Sequence, residues 1–186
     1  MEKELTSKES LELITQMITK AKKTAGGDGG FQMLLWGWAI SICNFGHYIL
    51  TKLDFDAPYV VWLGLIPVIG ISIWHGVTKS KKTGVKTHLD SVLSQLWIMI
   101  FVGIVIVLSF MSNLNMYQNP IILILASIGI FTTGAMVKVN LIKFGGIFLM
   151  AAALFSFFLP ITEQYLVAGI AIVIGYLVPG YSLKRG

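Results

Sequence analysis

The sequence predicts an all-α membrane protein in which six transmembrane helices form three antiparallel hairpins behind an N-terminal amphipathic helix. Three observations carry that expectation. The 186 residues are 55% hydrophobic and 12% charged, with a mean hydropathy of +0.78, whereas a soluble domain carries roughly twice that charged share. Six apolar runs approach the ~20 residues that a hydrocarbon core of roughly 30 Å demands of a helix. The lysines and arginines fall almost wholly on one side of those runs, as positive charge retained in cytoplasmic loops requires.

Taken in order, residues 1–30 form a cytoplasmic unit. Thr6 with Glu9 three residues on is a capping-box pattern, and Leu11, Ile14, Met17, Ile18 and Ala21 recur at helical spacing. Glu12, Lys20, Lys22 and Lys23 occupy the opposite face, so this helix can lie along lipid headgroups or against a partner. The AGGDGG stretch at 25–30 is a hinge, because glycine costs roughly 1 kcal/mol per helix-interior site against alanine. Residues 31–186 then form the transmembrane domain, with runs at 31–51, 58–77, 91–111, 120–137, 141–159 and 164–181. The third and fourth sit in 91–137, a stretch without formal charge that is too long for one span; the SNLNMYQN turn at 112–119 divides it.

The connector at 78–88, TKSKKTGVKTH, carries Lys79, Lys81, Lys82 and Lys86 and anchors the topology. With it in the cytoplasm, six spans place all of the 14 lysines and arginines inside except Lys52, while Asp54, Asp56 and Glu163 face outward. Both termini are then cytoplasmic. Trp36, Trp38, Trp74, Trp97 and Tyr181 fall near the inner boundary, and Tyr59, Trp62, Tyr117 and Tyr165 near the outer one. Pro58 and Pro120 open spans, Pro160 follows the fifth and Pro179 closes the sixth, where a missing backbone donor is tolerated.

The sequence pI near 9.3 has its source in these flanking lysines, which argues against a nucleic-acid partner. The single cysteine, Cys43, lies in an apolar run and excludes an internal disulfide. A charged segment precedes the first run and no small-residue cleavage site follows a short apolar core, so no removable signal peptide is expected.

Chemistry would have to come from polar residues within the spans. At 100° per residue, Gly37, Ser41, Asn44, Tyr48 and Thr51 share one stripe of the first span, with His47 at its edge. In the second, Gly64, Pro67, Ile71 and His75 share a face, and Pro67 frees the carbonyl of Leu63. Ser41, Asn44, His47, Tyr48, Pro67 and His75 make up the candidate intramembrane polar site. Lys20, Lys22, Lys23, Lys79, Lys81, Lys82 and Lys86 make up a candidate cytoplasmic contact surface. Small and weakly polar helix faces serve close packing as readily as they line a path. All nine acidic residues lie outside the runs, against an ion-coupled carrier, which generally needs an intramembrane carboxylate. His47 and His75 fall near opposite faces, and no paired-carboxylate or HExxH spacing occurs. No catalytic residue, metal or cofactor is expected, and the chain is read as no enzyme.

The opening KESLELITQMI, the GGFQMLLWGWAI of the first span, the SQLWI at 94–98 and the closing IGYLVPGYSLKRG at 174–186 resemble an uncharacterised family of small bacterial six-span inner-membrane proteins. The resemblance implies the fold and a multi-pass place in the bacterial inner membrane. A weaker likeness, in span number and hairpin layout, is to the HdeD-type membrane proteins. The leading expectation is an inner-membrane protein with a sensing, regulatory or scaffolding role. Its partners would be the lipid bilayer, anionic lipid at the cytoplasmic face, and a protein partner or a second copy of the chain. The alternative is a small-solute or lipid carrier with its path between the first two helices, around Asn44 and Pro67.

Overall fold

A computed structural model describes residues 29–83 and 88–185; the N-terminal helix expected before residue 29, with Lys20, Lys22 and Lys23, lies outside the described residues, as does Lys86. The described residues are helical, without a strand. The order is α1 (Gly30–Lys52), a 3₁₀ segment (Pro58–Gly64), α2 (Leu65–Thr83), α3 (His88–Ser109), α4 (Gln118–Met136), α5 (Asn140–Ser156), α6 (Ile161–Ile172), a π-helical segment (Val173–Leu177) and α7 (Val178–Arg185). Among the described residues, five helical stretches are long and apolar enough to cross a membrane: Gly30–Lys52, Pro58–Thr78, Asp90–Ser109, Gln118–Met136 and Ile161–Lys184. They fit a multi-pass membrane protein. The shorter apolar helix α5 spans 17 residues, a rise of about 26 Å.

Three boundaries differ from the sequence expectation. The basic connector is shorter than 78–88, because α2 continues through Lys79, Lys81 and Lys82 to Thr83 and α3 begins at His88. Pro179 does not close the last span. It is buried inside one continuous helical stretch, Ile161–Lys184, where its missing N–H leaves the Gly175 carbonyl without its usual i+4 donor. The π segment at Val173–Leu177 takes up that interruption within the helix. Pro67 stands in the third position of α2, directly after the switch from 3₁₀ to α at Gly64 and Leu65, so its missing N–H falls at the change of helix type.

The turns are sharp. Asp54 takes a φ of 53° after α1, and the Phe55 N–H reaches back to the Leu50 carbonyl to end that helix. Lys138 takes a φ of 57° between α4 and α5, with the Val139 N–H bonded to the Gly134 carbonyl. The Lys138 turn and the end of α7 mark one end of the bundle, called here the basic end; the loops at 53–57, 110–117 and 157–160 mark the far end.

Four helical stretches form the centre: α1, α4, α5 and the continuous Ile161–Lys184. α4 and α5 make the most extensive interface, α5 packs in turn on α6 and the π segment, and α1 lies along α6, the π segment and α7. Ile130, Ile142, Leu149, Ala153, Ala171 and Ile172 are buried where these meet. α2 packs on α1 and α3 on α4, both at the periphery. No residue of the Pro58–Thr78 window is buried, against half of the Ile161–Lys184 window. The contacts between expected hairpins thus hold the core more than those within them.

Small residues explain the closeness of α5 and the last helix. A Cβ built on Gly145 would lie 2.5 Å from the Gly175 carbonyl oxygen, so only a hydrogen side chain admits the approach. That oxygen is the one whose usual donor Pro179 lacks. Polar pins hold the peripheral helices. The Gln32 amide and the Trp36 indole donate to Ser72 across α1 and α2, and the Trp97 indole donates to Thr133 Oγ1 across α3 and α4 at 3.2 Å.

Candidate functional site

The polar stripe of α1 divides along its length. Gly37, Ser41 and Asn44 are buried, and the Ser41 hydroxyl donates to the Gly169 carbonyl of α6 at 3.5 Å. The Asn44 amide turns back to its own helix, Nδ2 donating to the Ile40 carbonyl at 2.9 Å, while Oδ1 has no protein partner. Beside them the Cys43 thiol donates to the Val61 carbonyl in the 3₁₀ segment. Tyr48 is half-buried, with the Lys52 ammonium 5.5 Å from its ring centroid. Pro67 is exposed on α2. His75 stacks on Phe31 with centroids 4.3 Å apart. His47 and Phe31 are sixteen residues apart on α1, about 24 Å of helix, so the two histidines belong to opposite ends. The six residues therefore do not converge.

A tighter constellation gathers at the far end around Tyr165, in the first turns of α6. The His47 imidazole stacks on the Tyr165 ring, centroids 3.8 Å apart, and His47 Nδ1 accepts from the Trp62 indole at 3.1 Å. An Nδ1 that accepts leaves the neutral ring's proton on Nε2. From α4, Gln118 Nε2 donates to the Tyr165 hydroxyl at 3.2 Å, and Asn119 stands beside the same hydroxyl. Gln164 and Ser156 are fully buried close by in sequence to the 157–160 loop, Gln164 Nε2 donating to the Leu159 carbonyl. At the rim, Lys52 Nζ and Glu163 Oε1 form an ion pair at 2.7 Å.

This cluster leaves hydrogen-bonding capacity over. Gln118 Oε1 and Asn119 Nδ2 are buried in it without a protein partner, as are Ser156 Oγ and Gln164 Oε1 beside the 157–160 loop, each a cost of about 1–3 kcal/mol if it stays unpaired. With both acceptors and donors unspent and no charged group among them, the cluster suits water or another neutral hydrogen-bonding group. No group of three or more His, Cys, Asp or Glu side chains that could hold a metal occurs among the described residues.

Of this constellation, sequence reasoning singled out only His47. Gln118 and Asn119 read as a polar turn, and Trp62 and Tyr165 as boundary aromatics. The available signal was the QNP and EQY triplets at the starts of two spans, where amides sit too deep to be mere loop residues. For the cytoplasmic surface, the backbone of Lys79, Lys81 and Lys82 belongs to the last turns of α2.

Compared with known proteins, the chain matches no family model, no curated protein and no solved structure.

Proposed function

We propose that this chain is a six-span protein of the bacterial inner membrane, with both termini cytoplasmic, that acts without enzymatic chemistry in a sensing, regulatory or scaffolding role. In this reading α5, prolonged by Phe157–Leu159, is the fifth crossing, which brings the five longer stretches to six. It follows a basic turn at Lys138 and precedes the outward-facing Pro160 and Glu163. The basic end faces the cytoplasm and the Tyr165 cluster faces outward. The resemblance to small bacterial six-span proteins points the same way.

The observation that carries the role is the packing around Asn44. An amide on a transport path faces an opening, whereas Asn44 is 3% exposed, bonded to its own helix and flanked by the buried Ser41 and Gly37. Pro67, the other residue of the alternative path, lies on an exposed face of α2. The carrier reading keeps one observation in its favour, the unpartnered Oδ1 of Asn44. Cysteine reactivity separates the two. In a Cys43→Ser background, Asn44→Cys in intact membranes is expected to resist small water-soluble thiol reagents. Rapid modification would overturn the scaffold reading and favour the carrier.

A further inference from the structure

The 3₁₀ segment is lightly held at the far end of the bundle. None of its residues is buried, and two side-chain hydrogen bonds tie it to α1: the Cys43 thiol donates to the Val61 carbonyl, and the Trp62 indole donates to His47 Nδ1 at 3.1 Å. Val61 also rests against Gly46. A thiol is a weak donor, so the Trp62 bond is the stronger tie. Further along, α2 is pinned to α1 by Ser72 against Gln32 and Trp36 and by the stack of His75 on Phe31. Loss of the Trp62 bond therefore loosens the segment about pins that stay in place.

That bond has a chemical condition. Nδ1 accepts only while the imidazole is neutral, because both nitrogens of an imidazolium carry protons. Protonation of the half-buried His47 thus sets one N–H against another and breaks the Trp62 bond. The other contact of His47 responds differently. A cation over an aromatic face is attracted to it, so the stack on Tyr165 survives the charge, and Gln118 still holds the Tyr165 hydroxyl. The proton is felt by the 3₁₀ segment rather than by the contact of α1 with α6.

The titratable groups on the surrounding elements leave His47 in this role. On α1 they are Cys43, bonded to the Val61 carbonyl, Tyr48 and Lys52; on α6, Glu163 and Tyr165; in the 3₁₀ segment, Tyr59; and in the loop before it, Asp54 and Asp56. From α4 come the uncharged Gln118 and Asn119, and Tyr117 before them stacks on Phe157. Glu163 is engaged by Lys52, and among the described residues no acid forms an ion pair with His47.

We propose that His47 is a proton switch for the 3₁₀ segment: neutral, it holds the Trp62 indole and clamps the segment to α1; protonated, it keeps its place on Tyr165 and lets the segment go. The clamp is made at high pH and lost as the pH falls through the titration of His47. It gives the sensing role proposed above a stimulus, the pH outside the membrane, and rests on that reading only for the side it faces.

The test is hydrogen exchange of the full chain in detergent micelles, read by mass spectrometry over peptides from Pro58–Gly64. Wild type is compared with Trp62→Phe, which lacks the donor, and with His47→Phe, which keeps a ring on Tyr165 but lacks the acceptor. Each comparison is made at one pH, so that the intrinsic pH dependence of exchange cancels. At about pH 8 the segment should exchange several-fold faster in both variants than in the wild type, and at about pH 5 the three should agree, since the charge of an unperturbed histidine changes between those values. Peptides from α6 should exchange alike in all three at both pH values, and Glu163→Gln should keep the wild-type pattern. A wild type slower than both variants at both pH values would overturn the proposal, because the clamp would survive acid. So would three equal rates at about pH 8, which would mean no clamp, or a pH response lost in Glu163→Gln, which would make the ion pair the sensor. Faster exchange of α6 in the wild type than in the variants at about pH 5 would also overturn it, since the charge would then unseat the stack. Micelles have no outer side, so these outcomes strike the switch alone, while cysteine labelling from the two sides of the membrane tests the placement separately.

Discussion

Replacing Gly146 by alanine tests the interface on which the bundle depends most. A Cβ built there would lie 2.7 Å from the Phe131 backbone nitrogen and 2.8 Å from its Cα and Cβ. Two are backbone atoms of α4 and the third is the Cβ fixed to them, so no side-chain rotation relieves the clash. Restoring an ordinary contact of 3.4 Å requires α4 and α5 to part by up to 0.7 Å, the difference of 3.4 and 2.7. A gap of that size forfeits a quarter to a half of the dispersion attraction of each contact it opens. Overpacking of this kind costs about 1–3 kcal/mol, and in lipid close packing is the main source of helix association. The control is Gly70→Ala on α2, where an added Cβ meets nothing within 4 Å. In detergent micelles, the denaturation midpoint followed by circular dichroism should fall for Gly146→Ala and stay level or rise for Gly70→Ala. Equal midpoints would refute the close approach of α4 and α5.

Three further outcomes follow from the same packing. Asn44→Leu should destabilise by about 1 kcal/mol or less in the same denaturation assay, because interhelical and backbone-directed amide bonds in membranes are modest; a loss several times larger would mean that Oδ1 has a partner that matters. Tyr165→Phe removes the acceptor of Gln118 but keeps the ring under His47, so it should cost about 1–2 kcal/mol. His47→Ala, which loses both the stack and the Trp62 bond, should cost more, and a reversed order would show that the hydroxyl rather than the stack organises the cluster. Single cysteines at Lys82 and Ser112, with Cys43 replaced, should label from opposite sides of the membrane, and labelling of both from one side would end the six-span proposal.

The sequence by itself determined the class of this protein and the rough places of its helices. Apolar runs of span length and low charge leave a chain little choice but helix, since backbone groups in lipid must be satisfied within the segment. The glycines, prolines and polar turns then set the ends within a few residues. Where they misled, the cause was tertiary. Pro179 reads as a terminator, yet a π segment and the backbone of Gly145 accommodate it within a continuous helix. Periodicity showed that Gly37, Ser41 and Asn44 share a face; it could not show that α6 and the π segment pack on that face, because several helices of the chain offer an equally small one. Nor could it separate core from rim, for in lipid the outward side of α2 or α3 is as apolar as the interior. The Tyr165 cluster was least legible of all. Its members come from α1, the 3₁₀ segment, α4 and α6, and side chains that distant in the chain meet only once the packing of α4 and α5 against α6 has brought the far ends of four segments together.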